Sequence, residues 1–285
     1  MGMIGILGGT GLYQLPALQV TDRQTPSTPF GKISAPIILG TWQGCPMAFL
    51  ARHGESHELL PSEVNYRANL WALKSLGVRR VIAVSAVGSL TDPIAPGDLA
   101  LPNQYVDFTG GRRAGTFFGE GLVAHISTAT PTCGQLEGAL AAAAQHIKAR
   151  VHRNVTYACV AGPRLGTRAE SQFLRHAGGA QLVGMTNVPE AFLAREAQLC
   201  YCTVAVVTDY DCWQTDPALH VAADQVLQLY RENLGTVLNL LAEVLPHLNA
   251  EGAGCSCRTA LHSAVVSAAA SLTPEKRALL DLLSL

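Results

Sequence analysis

The stretch over residues 181–213, QLVGMTNVPEAFLAREAQLCYCTVAVVTDYDCW, constrains the chain most, because two short apolar runs in it break off into polar clusters with a helix between them. The run LVGM ends at Met185, Thr186 and Asn187. Val188-Pro189-Glu190 then opens the helix, with proline early where its missing N–H leaves no bond unmade. CYCTVAVV is β-branched and stops at Thr208, Asp209, Tyr210 and Asp211. This spacing predicts that both polar clusters lie beyond the C-terminal ends of strands, the edge of an open α/β sheet at which ligands bind.

The same punctuation recurs upstream. Residues 3–7 are apolar and run straight into Gly8-Gly9-Thr10-Gly11, a backbone able to turn tightly and present N–H groups to an anion, with the Thr10 hydroxyl inside the turn. The third glycine of a dinucleotide fingerprint is missing. A second apolar run, 47–51, ends at Arg52-His53-Gly54-Glu55-Ser56-His57, and the planar fork of an arginine matches two phosphate oxygens. PSEVNYRANLWALKSLG over 61–77 predicts a helix with Ser62 as its cap and Gly77 as its stop. Residues 78–83 read as a buried strand leading into a small-residue loop, Val84 to Ser89, that lets a flat ligand approach the backbone. A right-handed βαβ unit follows from this order.

Further along, residues 99–102 predict a strand and 103–120 a Gly-, Arg- and Phe-rich loop suited to a lid or a subunit contact. A helix over 135–150 and a strand over 155–160 come next. That strand ends at GPRLGTRAE, residues 162–170, a glycine-bearing turn opening another helix. Residues 221–245 predict a long amphipathic helix, and from residue 250 a short helical hairpin stands apart.

With 285 residues, 48% of them hydrophobic and 14% charged, the expectation is one large α/β domain over 1–249 with a helical tail over 250–285. A formal net charge of −1 offers no electrostatic reason for a nucleic acid or an anionic membrane as partner. No apolar run is long enough to span a membrane, and the N-terminus lacks the basic flank of a signal peptide, so a cytoplasmic location is expected. Most of the eight cysteines sit in apolar segments and read as buried thiols. Cys255-Ser256-Cys257 differs. It has no second Cys/His pair at zinc-ligand spacing, and a reactive or structural thiol pair is expected there, without metal.

Collected, the strand ends offer Thr10, Arg52, His53, Ser85, Thr167, Thr186, Asp209 and Asp211. Hydroxyls and an arginine suit inorganic phosphate, whereas two carboxylates one residue apart suit the donors of a heterocycle or a protonated leaving group. There is no nucleophile elbow, no Ser-His-Asp order and no Walker A lysine, which argues against a hydrolase triad or a kinase.

GGTGLY at 8–13, ARHGESHELLPSEVNYRANLWALK at 51–74, SAVGSL at 85–90, GPRLGTRAES at 162–171, GMTNVPEAFLAREA and TDYDCW together resemble the trimeric purine nucleoside phosphorylases, and among them the methylthioadenosine phosphorylase branch. The resemblance covers about residues 3–245. It implies a single α/β domain around a mixed, partly barrel-like sheet flanked by helices, a homotrimer (with a hexamer as the alternative assembly), a nucleoside substrate, and inorganic phosphate as co-substrate with no cofactor. It implies Thr10, Arg52, His53, Ser85, Ala86 and Thr186 around phosphate, Met185 against the ribose, and Leu165 against the base. Asp209 and Asp211 would face the N7 and 6-amino edge. His125 would reach a neighbouring subunit's pocket, with His57 a second candidate. Asp209, Asp211 and Ser85 are the catalytic set. In such a reaction phosphate attacks an oxocarbenium-like centre, and a protonated Asp209 hands N7 its proton so that the purine leaves neutral.

Substrate preference rests on few positions. Relatives that prefer 6-oxopurines resemble each other in having Glu where Gly166 stands and Asn where Asp209 stands; an aspartate accepting from a 6-amino group implies adenine instead. Ala223 and Val226 fall near the place where users of a free 5′-hydroxyl carry histidine, and apolar side chains there imply a methylthio group. An enzyme for methylthioinosine, or one for purine nucleosides more broadly, is the neighbouring alternative. A nucleosidase would make no use of the phosphate residues, and an NAD-dependent dehydrogenase would need the missing glycine.

Overall fold

Nine strands, counted among the described residues, join in one mixed sheet in the order β2-β3-β4-β1-β5-β8-β7-β6-β9, and a further pairing of β5 with β9 closes its second half into a barrel. The computed structural model describes residues 2–9, 15, 17–214, 223–248 and 254–285, and only the backbone of 223–227. Strand β1 (Met3–Gly8) lies parallel to both β4 (Cys45–Ala51) and β5 (Val78–Ser89). β5 runs parallel to β9 (Cys200–Asp209), with Gly88 opposite Asp209. The C-terminal ends of these four strands therefore open on the same side. Their continuous apolar runs are what strands covered on both faces require, and Ile4, Ile6, Leu50, Ile82 and Val206 are fully buried.

β2 (Gln19–Gln24) and β3 (Ile37–Trp42) form the antiparallel edge, where exposed charges such as Asp22 and Arg23 guard the unpaired side. β6 (Leu99–Phe108) and β7 (Val151–Val160) pair in parallel, and the short β8 (Leu182–Gly184) bridges β7 to β5.

Six helices surround the sheet among the described residues. α1 (Tyr66–Ser75) begins later than its apolar spacing predicts. The backbone of Glu63 and Val64 first turns back onto Leu60 O, and Asn65, not Ser62, caps the helix by accepting from Ala68 N. Gly77, at φ +88°, ends it as expected. α2 (Gly134–His146) and α5 (Ala223–Val244) pack against each other. α3 (Arg168–His176) starts in a capping box, Thr167 Oγ1 accepting from Glu170 N while the Glu170 carboxylate accepts from Thr167 N. In α4 (Asn187–Glu196) regular helical backbone begins only after Val188, so Pro189 occupies the first turn.

Two expectations change. Residues 84–89 are the second half of β5 rather than a loop, because Val84 to Gly88 pair along β9. The first part of 103–120 likewise continues β6, held by β7. In both cases a neighbouring strand supplies ladder hydrogen bonds that outweigh a composition of small and polar residues.

The proposed boundary at 249/250 falls on residues outside the described ones. Beyond it, two 3-10 turns (Ser256–Thr259 and Ala269–Ser271) precede a single helix, α6 (Pro274–Ser284), in place of a helical hairpin. This segment is docked on the domain: Gln198 donates to Ser284 O and accepts from Leu261 N, and Val123 and His125 bond to Ser267 and Ala264. Cys255 and Cys257, read from sequence without companions, meet Cys133 and Cys200 there.

Candidate active site

The strand ends of β1, β4 and β5 meet around a buried cation. Arg52, just past β4, is 0% exposed, and its backbone N–H donates to Gly8 O. Its fork closes on Glu190 of α4, Nε to Oε2 at 2.6 Å and Nη2 to Oε1 at 2.8 Å, while Nη1 donates to Val84 O at 3.1 Å. The face of the fork expected to meet phosphate closes on Glu190. Three of the roughly five guanidinium donors are thus engaged, and two remain for a ligand. Gly9 lies directly against this group: a Cβ there would sit 2.7 Å from Val84 O and 3.2 Å from Arg52 Nη1. Only a residue without a side chain allows so close an approach. Thr10, next in the chain, lies outside the described residues.

His53 is buried against Arg52, and its Nδ1 lies 2.9 Å from Leu59 O. A carbonyl only accepts, so Nδ1 carries the hydrogen and Nε2 presents a lone pair. Burial first, then the Arg52 charge, lowers the imidazole pKa to about 4. His57 stacks on His53 with ring centroids 4.8 Å apart.

Ser85, on β5, donates to Asn187 Oδ1 at 3.2 Å, and Asn187 Nδ2 reaches the Tyr201 hydroxyl at 2.8 Å and Thr203 Oγ1. Tyr201 in turn donates to Glu190 at 2.8 Å. One buried polar network therefore ties β5, β9 and the start of α4 to Arg52. Thr186, at the N-terminus of α4, is the exception within it. Its Oγ1 is buried, makes no cap bond and lies against the Tyr157 hydroxyl outside good hydrogen-bond geometry. Such a hydroxyl is costly unless a ligand satisfies it, and the helix terminus behind it favours an anion. Ala86 follows Ser85 and is half-buried.

The carboxylates stand across Gly88. Asp209 Oδ1 accepts from Asp211 N at 2.6 Å, and Oδ2 lies 2.7 Å from Thr208 Oγ1. Thr208 Oγ1 is also 3.2 Å from Val87 O. A hydroxyl has one hydrogen, and the shorter contact marks Thr208 Oγ1 as donating it to Asp209 Oδ2, with Val87 O the more distant neighbour. Burial raises the Asp209 pKa, opposed by the Thr208 and Asp211 hydrogen bonds, and burial likewise raises Asp211. Gly88 makes this possible. A Cβ on it would come within 2.8 Å of Asp209 Oδ1.

Beside Asp211 opens a cavity of about 700 Å³, lined among others by Gly162, Gly166, Ser171, Phe173 and Val183, within the usual range for small-molecule sites of ~300–1,000 Å³. Ser171 Oγ is buried against Asp211 outside good hydrogen-bond geometry. Gly166 lies open toward Asp211, a Cβ there being 4.0 Å from Oδ2. The cavity belongs to the carboxylate side; Arg52, Ser85 and Thr186 lie outside its lining. Met185 packs its sulfur onto Gly162, beside the lining. Leu165, assigned to the base, is 50% exposed and does not line the cavity. His125 is exposed on the loop braced by the tail. The side chains of Ala223 and Val226 lie outside the described residues. Glu190, Asn187, Tyr201 and Gly88 had drawn no role from the sequence.

A chain with a buried arginine and hydroxyls at one set of strand ends and two neighbouring carboxylates, one of them lining a cavity, at the next fits the family described as the phosphorylase superfamily, whose sequence pattern matches residues 3–244. An S-methyl-5'-thioadenosine phosphorylase of Geobacter sulfurreducens is 44% identical over 99% of this chain and 97% of its own length. One of Hyperthermus butylicus is 46% identical over 92% and 95%. Among solved structures, a methylthioadenosine phosphorylase from an antarctic soil metagenomic library superposes with a TM-score of 0.91 at 41% identity, covering 98% of both chains. The Schistosoma mansoni methylthioadenosine phosphorylase in complex with adenine superposes at 0.84 and 36%, covering 88% and 93%. The chain belongs to the phosphorylase superfamily, in the branch that holds the S-methyl-5'-thioadenosine phosphorylases.

Proposed function

We propose that the protein cleaves S-methyl-5'-thioadenosine with inorganic phosphate, giving adenine and 5-methylthioribose 1-phosphate. The observation that carries this reading is the buried Thr186 hydroxyl without a well-formed hydrogen bond, next in sequence to Asn187 of the network that ties Ser85 to Arg52. Phosphate would meet there the guanidinium N–H groups of Arg52 not held by Glu190 and Val84 O, the Thr186 and Ser85 hydroxyls, the backbone at Ala86 and His53, with Thr10 assigned to it from sequence alone. Held at a fixed distance, phosphate attacks the anomeric carbon as the glycosidic bond lengthens toward an oxocarbenium-like state.

The leaving base must gain a proton. Protonated Asp209 donates to N7, and Asp211, beside it, accepts from the 6-amino group. With no side chain at Gly166 to meet a protonated N1, a donor to N7 beside an acceptor for the 6-amino group suits adenine better than hypoxanthine. Met185 is assigned to the ribose; Leu165, assigned to the base from sequence, is half-exposed outside the cavity and would have to fold inward to meet it. Ala223 and Val226 are assigned to the methylthio group from sequence alone.

This reading includes a homotrimer in which His125 of one subunit reaches the next subunit's pocket, a cytoplasmic location, a catalytic domain over 1–249 with an accessory tail, and a reaction run without a cofactor. The exposure of His125 on a braced loop supports the first, and among the described residues no helix is long and apolar enough to cross a membrane. Phosphorus NMR of the reaction mixture tests the chemistry. A new sugar-1-phosphate signal growing with adenine is expected; free 5-methylthioribose with phosphate unconsumed would contradict it.

A further inference from the structure

On the far side of the barrel closure, four buried cysteines converge: Cys133 at the cap of α2, Cys200 at the first residue of β9, and Cys255 and Cys257 in the tail. Their four sulfurs all lie within 4.8 Å of one another, and Cys133 Sγ is 3.5 Å from Cys255 Sγ. Zinc–thiolate bonds of about 2.3 Å in a tetrahedron place the sulfurs about 3.8 Å apart. The observed spread brackets that edge. Two separate disulfides would draw the sulfurs into two pairs, whereas here every sulfur is near every other.

We propose that these cysteines form a structural site for one soft divalent cation, zinc by its preference for four thiolates, clamping the tail to the catalytic domain. Neither tail cysteine has a second ligand pair nearby in sequence; the fold supplies it from two elements that meet through the Cys133 N to Tyr201 O hydrogen bond of 2.8 Å. Binding exchanges four thiol protons, released to solvent, for one cation, leaving a 2− cluster. Cys200 lies within electrostatic reach of the Lys74 amine.

The clamp has a further consequence. The tail holds the 121–125 loop through Val266 N to Val123 O, Ser267 Oγ to Gly121 O and His125 N to Ala264 O. The metal site thus braces the loop that carries His125.

The test is metal content of the full chain purified under reductant without chelator. One zinc per chain is expected in the parent and in Cys45→Ser, whose thiol lies elsewhere, and loss of nearly all of it in Cys257→Ser. Because a ligand variant can misfold, the parent is also stripped and titrated with cobalt(II). Saturation at one equivalent, with thiolate-to-cobalt charge transfer and tetrahedral absorption bands, is expected. Hydrogen exchange over 254–285 should quicken on stripping. A folded parent that takes up neither zinc nor cobalt would overturn the proposal, as would an intact mass lower by four hydrogens under the same reductant, which would assign the cluster to two disulfides.

Discussion

Arg52 and Glu190 face each other as a two-point ion pair, with contacts of 2.6 and 2.8 Å and side chains 0% and 2% exposed. Each restrains the other: the fork fixes the guanidinium plane, and Tyr201 holds the carboxylate. Removing one partner strands the other charge. Glu190→Ala is therefore expected to lower unfolding free energy by about 3–5 kcal/mol and, by freeing the guanidinium to turn, to raise the KM for phosphate roughly tenfold, the equivalent of ~1.4 kcal/mol. Chemical denaturation and phosphate-dependent kinetics read the two effects. Unchanged phosphate KM in a folded variant would separate this pair from anion binding.

Asp209→Asn removes the proton donor while keeping the shape. A fall in kcat of about 10²–10⁴-fold on adenine nucleosides is expected, with 6-oxopurine substrates suffering less. The pH profile carries the sign. A general acid must be protonated, and burial raises the Asp209 pKa, so acid-assisted turnover persists above the ordinary carboxylate range and declines as pH rises through the raised value. The Asn variant should lack that decline. Equal loss on both substrate classes, with the profile unchanged, would count against the donor role.

Two glycines separate chemistry from stability. Gly88→Ala brings a methyl within 2.8 Å of Asp209 Oδ1, and should cut kcat/KM more than tenfold with the fold retained. Gly184→Ala meets the Tyr157 ring, the hydroxyl at 2.0 Å. Tyr157 is fully buried and lies near Thr186 N, so this overpacking should destabilise by about 1–3 kcal/mol. Thermal melts and kinetics on both variants check the contrast.

His53 gives a stability prediction of definite sign. Its folded pKa, about 4, lies below the ordinary 6.5, so the unfolded chain binds more protons between these values. Its contribution is complete above pH 6.5 and is lost as pH falls toward 4. The span corresponds to at most about 3 kcal/mol. His53→Gln should flatten this part of the stability curve, and a proton NMR titration of the parent should find one imidazole neutral down to about pH 4.

Much of this site was legible because strand ends announce themselves. The runs that stop at Arg52 and Asp209 are parallel strands whose ends open on one side, and the Thr167/Glu170 capping box lies where GTRAE predicts a helix start. Long-range partners were not legible. Glu190 reads as a helix-opening acid, and nothing local says that its carboxylate crosses 138 residues of sequence to reach Arg52. Ser85 and Gly88 read as loop because small residues disfavour strands, yet β9 pairs them. The meeting of Cys133, Cys200, Cys255 and Cys257 is likewise a product of topology. Leu165 reads as an apolar contact for the base, but the turn leaves it half in solvent.

The central claim is phosphate-dependent release of adenine from a methylthio-nucleoside. Initial rates with methylthioadenosine, methylthioinosine, adenosine and inosine, each with and without phosphate, test it most directly. Adenine release from methylthioadenosine that requires phosphate, with little base from inosine, is the predicted result. Base release independent of phosphate would contradict the account of Arg52, Ser85 and Thr186, and a preference for methylthioinosine would contradict that of Asp209 and Gly166.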